Sequence, residues 1–105
     1  MYKVKDLKAE YKKKLITADG SLTAKPGDRL HFGLGCGSIV DIDRAIAARA
    51  DELKDITVIS TVTIREKPFE TFLATKSNDQ VRFSSAHFSG NDRVMNKEGR
   101  CWYIP

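Results

Sequence analysis

A chain of 105 residues with 41% hydrophobic and 30% charged side chains suits one soluble domain around one core and is too short for two. Part of its net charge of +4 comes from one opening run, Lys3, Lys5, Lys8, Lys12, Lys13 and Lys14; a solvated helix face accounts for it, and nucleic-acid binding is permitted but not indicated. Two cysteines, no secretory leader and no long apolar run predict a reduced, cytoplasmic protein outside the membrane.

In chain order, residues from Tyr2 to Leu15 read as a charged amphipathic helix with Val4, Leu7 and Tyr11 on one stripe. Thr17 can cap a second short helix, which Gly20 weakens. Lys25-Pro26-Gly27-Asp28 is a turn, because proline presets one central dihedral and glycine tolerates a positive φ. Arg29 to Phe32 is a short strand running into Gly33-Leu34-Gly35-Cys36-Gly37-Ser38. From Ile39 to Leu53 the apolar residues Ile39, Ile42, Ile46 and Leu53 follow helical spacing, and burying them is worth roughly 1.5–3 kcal/mol each. Ile56 to Ile64 is rich in β-branched residues and poor in charge, as in a central strand covered on both faces. Beyond Pro68 come a short helix, Phe69 to Ala74, and a third strand, Val81 to Ser85. Asn91 or Asp92 can cap a helix that ends at Gly99, and Cys101 to Ile104 begins a fourth strand. This alternation predicts an α/β fold, a mostly parallel sheet with helices on its faces.

The strand, glycine loop and helix between Leu30 and Ala50 form the most informative unit. Its glycines let backbone approach a ligand closely, and the helix that follows points free N–H groups and a positive dipole end at the loop. A tight turn with no ligand explains the same residues. A dinucleotide fingerprint does not fit, since Gly37 follows Gly35 by two positions rather than three, and a phosphate-binding loop lacks its lysine and Ser/Thr pair. Cys36 between two glycines can be read as a nucleophile elbow with His87 as its base, or as a small residue packed under the loop. The cysteines and the histidines His31 and His87 have no metal-ligand spacing, so no metal site is expected.

Three runs, Thr17-Ala18-Asp19, Pro26-Gly27-Asp28 and His31-Phe32-Gly33-Leu34-Gly35-Cys36-Gly37, resemble the start of the acetyl-CoA hydrolase/transferase family. Ser84-Ser85-Ala86-His87-Phe88-Ser89-Gly90-Asn91-Asp92-Arg93 is similar to its butyryl-CoA:acetate and 4-hydroxybutyrate CoA-transferases, and the likeness spans almost the whole chain. Gly20 to Ala24 depart from the pattern, which puts the second helix in doubt.

The resemblance implies a much longer enzyme of two related α/β domains, of which residues 1–105 are the amino-terminal portion of the first. Its reaction is ping-pong: a glutamate carboxylate of the second domain attacks the acyl-CoA thioester, and a glutamyl-CoA thioester then passes CoA to an acceptor carboxylate. No residue here matches that glutamate, so the chain is expected to hold no catalytic group; Glu66 and Glu70 read as solvent-facing charges. On this reading Gly33, Leu34, Gly35, Cys36, Gly37 and Ser38 line the acyl or carboxylate pocket, and Thr63 faces it. Thr63 is equally an ordinary strand residue. The implied partners are an acyl-CoA and a small carboxylic acid, with coenzyme A as substrate, no other cofactor, and a homo-oligomeric state. An acyl-CoA hydrolase of the same family and a non-catalytic glycine-loop module that binds an anion are the rival readings.

Overall fold

The computed structural model describes residues 6–15, 17 and 24–105, and of Cys36 the backbone alone. Helix α1 is Leu7–Lys14, started by Asp6, whose carboxylate accepts from the amides of Lys8 and Ala9. Val4 and the second helix expected after Thr17 lie outside the described residues. Leu7 and Tyr11 are exposed, so the predicted stripe of α1 is not buried.

Strands β1 (Arg29–Phe32), β2 (Ile56–Ser60), β3 (Val81–Ser85) and β4 (Cys101–Tyr103) form one sheet, all parallel and in the order β1-β2-β3-β4. Between them run α2 (Val40–Ala47), α3 (Glu70–Ala74) and α4 (Gly90–Lys97). The α/β fold with a parallel sheet is therefore as the alternation of elements predicts. Ile56, Val58, Val81, Phe83 and Cys101 point to one side, where Ile46 of α2, Phe72 of α3 and Met95 of α4 meet them in a single core. Four phenylalanines run through it: Phe32 meets Phe69 edge-on at 5.2 Å, Phe69 stacks on Phe83 at 6.0 Å, and Phe72 meets Phe83 edge-on at 5.7 Å.

Three boundaries differ from expectation, each for a local reason. The helix predicted from Ile39 to Leu53 is two pieces: α2, then a 3₁₀ turn at Ala50–Glu52 after Arg49 leaves helical dihedrals. Ile39 sits at the N-cap and is exposed, whereas Ile46 and Leu53 are buried. Strand β2 stops at Ser60 because the backbone beyond it serves a neighbour: the Val62 carbonyl accepts from the Gly35 amide at 3.0 Å. Its burial alternates, with Thr57 and Ile59 only half-buried, so among the described residues the helices cover one face of β2 and not two. Helix α4 is capped by Ser89, not by Asn91 or Asp92. Ser89 and Asp92 form a reciprocal capping box, and Gly99 (φ 69°) ends the helix.

Candidate functional site

Because every strand runs the same way, the carboxyl ends of β1, β2 and β3 lie along one edge, where open α/β sheets take their ligands. The segments leaving that edge are 33–39, 61–69 and 86–89. In the first, Gly35–Gly37 makes one 3₁₀ turn, closed by Gly37 N–H to Leu34 C=O (2.9 Å) and Ser38 N–H to Gly35 C=O (3.2 Å). Two of its glycines are sterically required. A Cβ on Gly33 would stand 2.8 Å from the Gly37 carbonyl oxygen. Gly35 takes φ 52°, and a Cβ there would lie 3.2 Å from Ile64 Cδ1. A Cβ on Gly37 would meet nothing within 4 Å. Leu34 and Gly37 are exposed, Gly33 is half-buried and Gly35 is buried. The Ser38 hydroxyl is shielded and has no hydrogen-bond partner. Helix α2 starts directly after it with Ile39 as N-cap, which gives the first amides no side-chain bond.

The second segment ties the edge together. Thr63, expected to face the site, is 2% exposed, and its hydroxyl donates to Asp92 Oδ1 at 3.0 Å. That bond joins the end of β2 to the capping box of α4, in which the Ser89 amide donates to Asp92 Oδ2 at 2.7 Å. Arg65 pairs with Asp43 of α2, lies 4.8 Å over the Phe69 ring, and accepts at its carbonyl from Asn91 Nδ2 at 2.7 Å. A pocket of about 210 Å³ opens between Val40, Arg65 and Pro68, and another of about 450 Å³ between Thr63, Arg65, Ser89 and Asn91. Arg65 is a wall of both. In the third segment His87 is exposed, and its carbonyl accepts the Ser85 hydroxyl at 3.1 Å. Glu66 is exposed, as expected of a charge beside Pro68, whereas Glu70, expected to face solvent as well, is half-buried and pairs with Lys67 at 2.8 Å. Among the described residues no three His, Cys, Asp or Glu side chains are grouped to hold a metal, and no helix is long and apolar enough to cross a membrane.

Side chains whose roles the sequence reading missed organise this edge. Asp43 is fully buried; besides Arg65 it accepts from Glu70 N–H (2.9 Å), Thr71 N–H (3.0 Å) and the Thr71 hydroxyl (2.7 Å), capping α3 from a neighbouring helix. A signal was present: Asp43 lies three residues before Ile46 and one after Ile42, so an acid sits on the apolar side of its helix. The Ser89-x-x-Asp92 spacing likewise announces a capping box. Arg100 gave none. Its guanidinium caps the other end of α3 through Phe72 O (3.0 Å) and Thr75 O (2.6 Å), a contact that only the folded chain creates.

The family model described as the acetyl-CoA hydrolase/transferase N-terminal domain matches residues 1–105. Over 100 residues the chain is 36% identical to the "Probable butyrate:acetyl-CoA coenzyme A-transferase" of Syntrophomonas wolfei subsp. wolfei, covering 91% of this chain and 21% of that protein. It is 33% identical over 99 residues to the butyryl-CoA:acetate CoA-transferase of Anaerostipes caccae, covering 93% of this chain and 22% of that protein. The chain thus spans about a fifth of the length of these curated relatives. No solved structure matches it.

Proposed function

Since the chain belongs to the acetyl-CoA hydrolase/transferase family, as its N-terminal domain, we propose that it forms the small-acid wall of a CoA-transferase working between a short-chain acyl-CoA, such as butyryl-CoA or 4-hydroxybutyryl-CoA, and acetate. The observation that carries this reading is the Gly33–Ser38 loop: it stands at the carboxyl end of β1, is bonded to the segment after β2, and leads into a helix start that no side chain caps. The amides at the start of α2 can serve the negative charge that develops as a carboxylate attacks a thioester carbonyl.

The chemistry is a double displacement. A glutamate carboxylate, supplied by a part of the enzyme outside these residues, attacks the acyl carbonyl and expels CoA thiolate, leaving an acyl-glutamyl anhydride. The thiolate attacks the glutamyl carbonyl, giving glutamyl-CoA and the free acid. Acetate then repeats the two steps in reverse, so CoA ends on the acetyl group and the glutamate is regenerated. Coenzyme A is a substrate throughout, no other cofactor takes part, and the enzyme works in the cytoplasm as a homo-oligomer. Thr63 contributes by fixing the end of β2, since its hydroxyl is held by Asp92.

Gly37 is the position for the test, because a side chain there fills open space in this domain. The complete polypeptide that carries this chain is assayed with butyryl-CoA and acetate. Acetyl-CoA formation is expected, together with at least a hundredfold loss in Gly37→Val at unchanged melting temperature. Wild-type turnover in that variant overturns the role of the loop. Release of free CoA at a rate independent of acetate assigns hydrolysis instead.

A further inference from the structure

Asp43 and Arg65 are a fully buried carboxylate and a guanidinium only 12% exposed, joined across two elements. The guanidinium is poorly satisfied: Nη1 reaches Asp43, whereas Nε and Nη2 are shielded from solvent with no hydrogen-bond partner. Two buried donors left unpaired are costly, and apolar side chains in place of both Arg65 and Asp43 would pack against Phe69 at least as well for stability. An arginine there calls for a reason other than packing.

Its position supplies one. Residues 61–67 hold the glycine loop through the Gly35 N–H bond to Val62 C=O, and Ile64 Cδ1 stands 3.2 Å from where a Cβ on Gly35 would be. Within this segment Arg65 is gripped from both sides: its side chain by Asp43 of α2, its carbonyl by Asn91 of α4. Asp43 is itself fixed by three further bonds from α3. We infer that Asp43 and Arg65 are a positioning pair, which sets the place of the segment after β2 and thereby of the Gly33–Ser38 loop and the uncapped amides at the start of α2. This rests on the function proposed above, because the aim of those amides matters only where charge develops against them.

The complete polypeptide is examined by hydrogen exchange and by kinetics. In Arg65→Met the melting temperature is expected to fall, because Asp43 loses its counter-charge, and amides of residues 33–38 are expected to exchange at least tenfold faster relative to those of β3. The turnover number for butyryl-CoA and acetate falls at least tenfold while KM for acetate stays within about threefold, because the lost interaction belongs to the transition state. Arg65→Lys, which keeps a cation for Asp43, restores part of both. Arg82→Met, removing an exposed partner of Asp55, is the control and leaves exchange at 33–38 unchanged. Should Arg65→Met fail to fold, Asn91→Ala cuts the other tether and is expected to speed the same amides. Unchanged exchange of the loop in folded Arg65→Met, or in Asn91→Ala, overturns the positioning role. Faster exchange in a protein whose wild type transfers no CoA leaves the pair standing and overturns the proposed function.

Discussion

Gly35 and Gly37 are two residues apart and look alike in a sequence, yet they answer to different demands. At φ 52°, with Ile64 Cδ1 3.2 Å from the place of a Cβ, Gly35 is held by the fold. Gly35→Ala should cost about 1–2 kcal/mol in urea unfolding, whereas Gly37→Ala should stay within roughly 0.5–1 kcal/mol of wild type. That the loop was a special place was legible in its three glycines; which glycine serves the fold was not, because the deciding atom belongs to a residue almost thirty positions later. Cysteine chemistry separates in the same way. Burial, reinforced by the Asp92 carboxylate, pushes the Cys101 thiol up to about 12 from an ordinary 9.0. The fold therefore favours the neutral thiol, so stability from this group is complete below about pH 9 and is lost as pH climbs towards 12. In a Cys36→Ala background, Cys101 should ignore a thiol reagent at pH 8 until the protein is denatured. The same Cys36→Ala change in the complete enzyme should keep most CoA transfer, because the proposed intermediate is on glutamate; a thousandfold loss, roughly 4 kcal/mol of barrier, would assign the nucleophile to Cys36 instead.

At the scale of elements, α3 is the clearest case of structure made by neighbours. Five residues are too few to hold a helix by propensity. Asp43 places a carboxylate on its first amides, and Arg100 places a guanidinium on its last carbonyls, opposite charges on opposite dipole ends. Burial draws the Arg100 guanidinium below its ordinary value, while Glu98 pulls the other way. Asp43→Ala should therefore cost about 3–5 kcal/mol, since it strands Arg65 without its counter-charge and bares the start of α3. Chemical denaturation with fluorescence readout checks this; a loss below about 1 kcal/mol would mean that water replaces the carboxylate. Helix α4 was legible at its end, where Gly99 stops it, but its start was set at Asn91 or Asp92 although the local Ser89 and Asp92 capping box begins it. Strand β3 and helix α3 were placed within a residue, α3 from the break at Pro68. The end of β2 was misread because the backbone beyond it is claimed by the distant Gly35 amide, while α2 ends where Arg49 leaves helical dihedrals.

The whole molecule is a sheet with sequential strand order, and that order has a consequence for its free surface. Consecutive parallel strands with like-handed crossovers send α2, α3 and α4 to one side, where Ile46, Phe72 and Met95 enter one core. Across the other face the register aligns His31, Ile59, Ser84 and Trp102 in one row, and Arg29, Thr57 and Arg82 in the next. Trp102 is 44% exposed and Ile59 half-buried. On α1, Leu7, Tyr11 and Leu15 are exposed as well, spaced so that they share one side of the helix. Water against a large apolar side chain costs about 1.5–3 kcal/mol, so several such residues together favour association. The isolated 105-residue chain should therefore form dimers or larger species at micromolar concentration. Light scattering over a dilution series reads the mass, and a blue shift of tryptophan emission on concentration reports burial of Trp102, the sole tryptophan. Trp102→Lys should weaken association at least tenfold by setting a charge in the row. A chain that stays monomeric across the series, with unshifted emission, would show that this face is stable in water as it stands.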